Sequence, residues 1–381
     1  MSDTLSLFIL AGEPSGDRIA ADLIARLRAR VDLNLSGVGG DELAAQGLHS
    51  LFPMSDLAVM GVTDVILNLP RILWRLEQAA RAILAANPDV VVLVDAQDFS
   101  RLLAARLRKR GFRGQLILYV APSVWARNPE RAARLTPLFD AVLAVLPFEP
   151  EAMNRLGGPP TSYVGHPALA EALPAPEVPE KGPLILLPGS RGGELRRHLP
   201  MFATLAAELA GRPEVTELVM PTLPRLRQRL AEVTATWPVP VRIEDTRAAR
   251  RQLYAEAIAA VCVSGTVTLE LALARVPMVV VYALDGHQAR IYARLGRPSV
   301  SLPNIILQRT VAPEFVEATL PLEKVGDAVQ ALLENKKARQ DQMSAFGELF
   351  KLMEDGTPPY GRQDPAEQVL SIWRDQRLLI G

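Results

Sequence analysis

The feature that most constrains the fold is Val90–Val94, a short run in which four residues are valine. Such a run is typical of a strand buried on both faces, which occurs in parallel sheets covered by helices. Helical spacing follows it at Arg101–Arg110, and the same alternation of strand and helix surrounds it. The other segments of this set are Leu5–Ala11, Ile19–Arg30, Leu116–Val120 and Ala141–Leu146. The pattern predicts βαβ units in a doubly wound parallel sheet.

The alternation pauses at Leu173–Pro183, where prolines stand among charged residues, and then restarts. Predicted strands of the second set are Leu184–Leu187, Glu217–Met220, Val241–Ile243, Ala259–Val263 and Met278–Val281, with later helices at Asp327–Glu334, Arg339–Leu352 and Ala366–Leu378. We therefore predict an α/β protein of two Rossmann-like domains, at 1–173 and 184–355, joined by a linker at 174–183. Residues 356–381 are predicted to pack back on the N-terminal domain. A ligand cleft is expected between the domains, at the carboxyl ends of the strands.

Composition excludes several functions. The 381 residues carry 42 basic and 42 acidic side chains, a formal net charge of +0, which argues against a nucleic-acid partner held by bulk charge. One cysteine and four histidines are too few for a usual zinc site, and we predict neither a metal nor a cofactor. We find no signal peptide and no apolar run long enough to span a bilayer, so a cytoplasmic location is expected.

In the first domain, two loops follow predicted strands and carry candidate site residues. The loop after the first strand contributes Gly12, Glu13, Ser15, Gly16 and Asp17. Its glycines permit a tight turn whose amides can meet an anion or hydroxyls, although an ordinary βα turn explains the same residues. Asp95 and Asp98 follow the valine strand, where ligands bind in open α/β sheets. Either carboxylate can act as a general base, and helix capping is the alternative for Asp98.

In the second domain, three segments are suited to a phosphorylated ligand. Ser190 and Arg191 lie in a glycine-rich loop after a strand, and the guanidinium can donate two hydrogen bonds to a phosphate. Ser264, Gly265 and Thr266 precede a helix whose first amides suit a diphosphate, and Glu270 can accept from ribose hydroxyls. Asn304 can donate and accept, but an asparagine after proline is also a common turn former.

The stretch 61–84 mixes large apolar side chains with arginines. Candidate lipid-facing residues there are Val62, Ile66, Leu69, Ile72, Leu73 and Trp74. This mixture suits a helix in a membrane interface or a channel for an apolar substrate, and it suits an ordinary packing helix equally well.

Taken together, the motifs resemble the lipid-A-disaccharide synthase family. The matching segments run in family order over roughly residues 5–320: Ala11-Gly-Glu-Pro-Ser-Gly-Asp17, Leu57-Ala-Val-Met-Gly61, Val94-Asp-Ala-Gln-Asp-Phe99, Pro122-Ser-Val-Trp-Ala126, Leu146-Pro-Phe-Glu149, Gly165-His-Pro167, Leu187-Pro-Gly-Ser-Arg191, Ser264-Gly-Thr266 through Glu270, and Ser301-Leu-Pro-Asn304. The sequence departs from the family pattern at Arg127-Asn128 and at Leu307-Gln308.

The resemblance implies the two-domain GT-B architecture and an inverting, metal-independent glycosyl transfer. UDP-2,3-diacylglucosamine would be joined to 2,3-diacylglucosamine 1-phosphate (lipid X), giving the β-1,6-linked disaccharide precursor of lipid A and UDP. It also implies peripheral association with the inner membrane and a possible homodimer. Asp95 matches the family's essential carboxylate, Arg191 and the loop at 264–266 would stabilise the leaving UDP, Glu270 would hold the ribose, and Asn304 would line the nucleotide.

Two alternatives stay open at this point. One is another UDP-sugar enzyme of the same architecture, such as a UDP-N-acetylglucosamine 2-epimerase, which would not need a lipid surface. The other is a non-catalytic relative that binds a UDP-sugar, which the joint presence of Asp95, Arg191 and Glu270 disfavours.

Overall fold

The computed structural model describes residues 4–57, 62–126, 128–174 and 177–380, and for residues 62–68, 377, 379 and 380 it describes the backbone alone. The chain forms two compact units. The first unit comprises residues 1–167 together with 355–381, and the second comprises 168–354. The change of unit falls between Pro167 and Ala168, ahead of the proline-rich stretch at 174–183 where the sequence analysis places the linker.

The first unit is built on a parallel six-stranded sheet in the order β2-β1-β3-β4-β5-β6. Its N-terminal elements are β1 (Thr4–Ala11), α1 (Pro14–Arg28), β2 (Asp32–Val38), α2 (Asp41–Ala45), α3 (Val62–Ala86), β3 (Val90–Val94), α4 (Gln97–Lys109), β4 (Gln115–Tyr119), α5 (Arg131–Leu135), β5 (Ala141–Ala144), α6 (Glu149–Arg155) and β6 (Thr161–Tyr163). Every residue of β3 is buried, as expected for a strand in the middle of a sheet with helices on both faces.

The second unit repeats the architecture with a parallel sheet in the order β12-β11-β10-β7-β8-β9. Its elements are β7 (Gly182–Leu187), α7 (Gly192–Leu209), β8 (Val215–Pro221), α8 (Arg227–Thr234), β9 (Arg242–Glu244), α9 (Arg247–Glu256), β10 (Ala259–Val263), α10 (Thr266–Leu273), β11 (Met278–Ala283), α11 (Gly286–Arg294), α12 (Leu302–Leu307), β12 (Glu314–Glu317), α13 (Leu322–Glu334) and α14 (Lys336–Asp355). Each unit has its own hydrophobic core, so neither depends on the other to bury its sheet.

The chain returns to the first unit at its C-terminal end. A two-stranded ribbon, β13 (Gly356–Thr357) and β14 (Tyr360–Gly361), leads into α15 (Pro365–Ile380). Val369, Leu370 and Trp373 of this helix are buried. The last helix is therefore part of the core of the first unit.

The predicted fold class is confirmed, and Val90–Val94 and Ala259–Val263 are strands with the predicted bounds. The sequence pattern does not predict β2, β6 and β12, which lie at the edges of their sheets. These strands are only partly buried, so they lack the continuous apolar run that identifies a central strand.

Candidate active site

The valine strand of the first unit ends in a strained turn that carries Asp95. Asp95 and the following Ala96 have φ angles of 54° and 46°, in the left-handed region that residues other than glycine rarely adopt. The Asp95 amide donates to the carbonyl of Tyr119 at 2.9 Å, and Ser100 Oγ donates to the Asp95 carbonyl at 2.8 Å. These bonds hold a half-buried carboxylate at the carboxyl end of the central strand.

The neighbouring strand also ends in a strained residue. Val120 follows β4 with a φ of 78°, a conformation that is an outlier for a β-branched side chain. Its carbonyl accepts from Gln97 Nε2 at 2.9 Å, and its amide donates to the carbonyl of Leu143 at 2.9 Å. Strained residues persist only where the surrounding contacts hold them, and they cluster at active sites and ligand-binding sites.

The glycine loop after β1 lies against the Asp95 turn. A Cβ added at Gly12 would meet the Cβ of Ala96 at 2.5 Å, and one at Gly16 would lie 3.6 Å from the Cβ of Asp95. Gly12 therefore has to be glycine for the two loops to approach. Ser15, in the first turn of α1, is exposed beside this contact, and Glu13 is the residue that precedes the helix. The structure thus places Gly12 and Gly16 against the Asp95 turn. That these residues form one substrate site stays a prediction.

Two further carboxylates predicted for this region, Asp17 and Asp98, have different surroundings. Asp17 is buried and accepts from the amides of Gly40 and Glu42 at 2.8 and 2.9 Å, so it holds the loop after β2 and the start of α2. The Asp98 side chain is 82% exposed and pairs with Arg131 at 3.3 Å. Asp17 therefore has a structural role, whereas Asp98 lies on the surface.

One more carboxyl group at this edge was not among the predicted site residues. Glu149 is buried and accepts from the amides of Val145 and Leu146 at 3.2 and 3.0 Å, and from Trp125 Nε1 at 3.4 Å. Desolvation by burial raises the pKa of Glu149 to about 7, against the opposing effect of these donors. Glu149 therefore ties the loop after β4 to the loop after β5. Its signal in the sequence is its place in the Leu146–Glu149 motif, one strand beyond the Trp125 motif.

In the second unit, the backbone of the glycine-rich loop after β7 is hydrogen-bonded to a glutamate in the first turn of α7. Glu194 accepts from the amides of Ser190 and Arg191 at 3.2 and 3.3 Å. Gly189 has a φ of 108° and approaches the Glu194 side chain closely. The amides of residues 190 and 191 are thus already satisfied. Two other groups of this loop suit a phosphate: the Ser190 hydroxyl and the Arg191 side chain, which is 59% exposed and lies 3.6 Å from Glu194.

The loop after β10 begins α10 as the sequence predicts. Gly265 precedes the helix with a φ of 143°, which requires glycine, and Thr266 is exposed at its first position. Ser264 Oγ donates to the carbonyl of Val300 at 2.8 Å. Further along α10, Glu270 lines a small cavity beside α9, together with Arg250 and Tyr254.

Asn304 is bound within its own unit. It is buried, its Nδ2 donates to the carbonyl of Ala312 and to Glu314 at 2.8 Å each, and its Oδ1 accepts from the amides of Val311 and Ala312 at 2.7 and 3.0 Å. Its hydrogen-bonding capacity is filled. A contact from Asn304 to a nucleotide stays a prediction, and it would require one of these bonds to be given up.

Helix α3 presents an apolar surface to solvent. Leu69, Leu73 and Trp74 are 45%, 45% and 58% exposed, whereas Ile72 is half-buried against the core. Arg75 pairs with Asp56 at 2.6 Å, and its guanidinium lies 4.2 Å from the centre of the Trp74 ring. The side chains of Val62 and Ile66, and residues 58–61 and 127, lie outside the described part of the chain.

Among the described residues, no helix is long and apolar enough to cross a bilayer. The same residues contain no group of three or more histidine, cysteine, aspartate or glutamate side chains suited to hold a metal ion.

Solved structures similar to this chain include a glycosyltransferase and a sugar-nucleotide epimerase. The calicheamicin glycosyltransferase matches with a TM-score of 0.60 at 17% identity, covering 98% of this chain and 99% of that one. A UDP-GlcNAc 2-epimerase of Methanocaldococcus jannaschii, in complex with UDP-GlcNAc and UDP, matches at 0.59 and 14% identity, covering 98% and 100%. The fold is that of the GT-B class, with two Rossmann-like units.

Within that class, the family is defined by sequence. The profile of the lipid-A-disaccharide synthetase family matches residues 7–357. The lipid-A-disaccharide synthase of Nitrobacter winogradskyi is 41% identical over 378 residues, covering 96% of this chain and 94% of that protein. The chain belongs to the lipid-A-disaccharide synthetase family, and it is a glycosyltransferase of lipid A disaccharide synthesis that uses UDP-sugar substrates. The family match therefore favours the synthase family over the alternative of a UDP-N-acetylglucosamine 2-epimerase.

Proposed function

We propose that Asp95 is the general base of an inverting transfer from UDP-2,3-diacylglucosamine to 2,3-diacylglucosamine 1-phosphate. The observation that carries the proposal is the strained turn at Asp95 and Ala96, which is held at the carboxyl end of β3 by bonds from neighbouring strands and helices. A strained, half-buried carboxylate of this kind is typical of a functional group in an open α/β sheet.

The chemistry requires one displacement. Asp95 accepts the proton of the acceptor 6-hydroxyl as its oxygen bonds to the anomeric carbon of the donor. The bond from that carbon to the UDP oxygen breaks at the same time, and UDP leaves with the electron pair. An α-linked donor therefore gives a β-1,6-linked disaccharide. A positioned base contributes about 10²- to 10⁴-fold to such a step.

Groups of the second unit are assigned to the nucleotide. Arg191 carries an exposed guanidinium, and Thr266 and the first amides of α10 are the helix-start groups that suit a diphosphate. These groups would stabilise the charge that develops on UDP. Glu270 would accept from the ribose hydroxyls.

The lipid parts of both substrates need an apolar surface, which α3 supplies in our proposal. Its exposed residues Leu69, Leu73 and Trp74, with arginines between them, match a helix that lies in a membrane interface. We assign the protein to the inner-membrane surface on this basis. A homodimer is also proposed, and mass measurement in detergent by light scattering tests it.

The test is a disaccharide assay with both diacylated substrates, in which UDP release is followed together with product. Wild-type turnover is expected, and it should survive EDTA because the resemblance to the family implies a metal-independent transfer. Asp95→Asn should lose about 10²-fold or more of kcat. Asp98→Asn is the matched control, since Asp98 lies on the following turn but is exposed, and it should keep wild-type turnover. Near-full activity in Asp95→Asn would exclude Asp95 as the base.

The variant Arg191→Gln tests whether Arg191 binds the nucleotide, with UDP binding as the measured quantity. We expect weaker UDP binding in this variant and wild-type binding in Arg196→Gln, because Arg196 is exposed on the next turn of α7. Equal UDP binding by both variants would remove Arg191 from the site.

A further inference from the structure

We propose that Glu314 is a positioning residue that fixes the loop at 264–266 in the shape that receives the donor nucleotide. The inference rests on the proposed function, because it takes that loop to be the nucleotide loop. Glu314 lies at the start of β12 and belongs to none of the motifs that define the predicted site.

The Glu314 carboxylate accepts four hydrogen bonds from one short segment. Its Oε2 accepts from the amide of Val300 at 3.0 Å. Its Oε1 accepts from the amide of Ser301 at 2.9 Å, from Ser301 Oγ at 2.5 Å and from Asn304 Nδ2 at 2.8 Å. All four donors are neutral. The carboxylate thus serves as the common acceptor that holds residues 300–304 together.

Asn304, at the other end of the segment 300–304, connects it to the residues that precede Glu314. Its Oδ1 accepts from the amides of Val311 and Ala312, which lie three and two residues before Glu314. Asn304 and Ser301 are both buried, so water does not compete for these bonds. Residues 300–314 therefore form one hydrogen-bonded unit with Glu314 as its acceptor.

This unit is bonded to the nucleotide loop at two points. Ser264 Oγ donates to the carbonyl of Val300 at 2.8 Å, and the amide of Leu302 donates to Thr268 Oγ1 at 3.1 Å. Thr268 Oγ1 in turn donates to the carbonyl of Gly265 at 2.8 Å. Both ends of the segment Ser264–Thr268 are thus fastened to residues that Glu314 holds.

Replacing the carboxylate with an amide breaks this arrangement. In Glu314→Gln one acceptor oxygen becomes a donor NH₂ group, so at least one of the four donors loses its partner. Residues 300–302 then shift and carry the carbonyl of Val300 with them. Displacements of about 1 Å in a site cost up to ~10²-fold, so we expect UDP affinity and donor KM to worsen about tenfold. The acceptor KM should not change, since Asp95 and its loops belong to the first unit.

The experiment measures UDP binding by calorimetry and both KM values for wild type, Glu314→Gln and Glu317→Gln. Glu317 is the matched control because it lies on the same strand but is exposed. The inference predicts a selective rise in donor KM and UDP Kd for Glu314→Gln, with kcat within about threefold of wild type, and no change for Glu317→Gln. A purely structural role would instead reduce the active fraction, lowering apparent kcat while both KM values stay constant.

Thr268→Val provides a second route if Glu314→Gln folds poorly. It keeps the volume of a fully buried side chain and removes the acceptor for the Leu302 amide. It should raise donor KM in the same direction while thermal unfolding confirms a folded protein. Wild-type UDP Kd in both variants would overturn the inference alone. Failure of the wild type to bind UDP would overturn the proposed function and the inference with it.

Discussion

Among single residues, Glu149 has an environment that makes stability depend on pH. It is buried at the strand ends of the first unit, and burial raises its pKa to about 7 from an ordinary value of 4.5. Between these two values the native protein binds a proton that the unfolded chain does not. Stability therefore falls as pH rises from 4.5 through 7, and it is level above that range. The whole change is on the order of 3 kcal/mol.

The measurement is urea unfolding of wild type and Glu149→Gln at pH 5 and pH 8. The glutamine cannot ionise, so the variant should gain stability relative to wild type between pH 5 and pH 8. Glu151→Gln is the control, because Glu151 lies on the same helix but is exposed, and its curve should follow that of wild type. Parallel pH curves for wild type and Glu149→Gln would show that Glu149 does not titrate in this range.

Among the helices, α3 is the element that we propose to contact lipid, because Leu69, Leu73 and Trp74 are exposed on it. Leu73→Ser with Trp74→Ser should reduce binding to vesicles of inner-membrane phospholipids by about tenfold or more, because exposed apolar area is lost while the buried residues Leu76, Ala79 and Ala80 still anchor the helix. Co-sedimentation with vesicles measures this. Leu102→Ser is the control, since Leu102 is 40% exposed on α4.

Turnover of detergent-dispersed substrates distinguishes two roles for the exposed face of α3, which are contact with the bilayer and binding of the lipid parts of the substrates. If α3 only contacts the bilayer, the double variant keeps its activity in detergent and loses it on vesicles. Unchanged vesicle binding in the double variant would remove α3 from the membrane contact.

For the whole molecule, the first unit depends on the last residues of the chain. Val369, Leu370 and Trp373 are buried in it, and fully burying side chains of this size stabilises a protein by roughly 1.5–3 kcal/mol each. The ion pairs of Arg26 with Asp364 and Arg30 with Glu367 lie at the surface and add little. Removing residues 356–381 should therefore cost about 5–9 kcal/mol, which approaches the total stability of a typical domain.

Hydrogen exchange of the truncated chain checks this expectation. We expect α1 and the strands of the first unit to lose protection, whereas β7 and β10 of the second unit keep theirs. Retained protection of α1 would mean that the first unit folds without α15. A full-length chain with Leu378→Ser is the control, because Leu378 is on α15 but 81% exposed.

The sequence by itself determined the two sets of alternating strands and helices, because periodic burial is a property of neighbouring residues. Val90–Val94 identified a central strand. The sequence therefore also placed Asp95 at the carboxyl end of that strand. Edge strands such as β12 escaped detection because they are only partly buried.

Only the tertiary structure decided which polar side chains form hydrogen bonds within the protein and which can contact a ligand. Asn304 looks like a ligand group in the sequence, yet its side chain accepts hydrogen bonds from the backbone amides of Val311 and Ala312. Glu149 and Glu314 look ordinary, yet each joins segments from different strands. The left-handed turn at Asp95 depends on Tyr119 of the next strand. Hydrogen-bond partners and backbone strain are set by packing between distant segments, which the order of residues along the chain does not display.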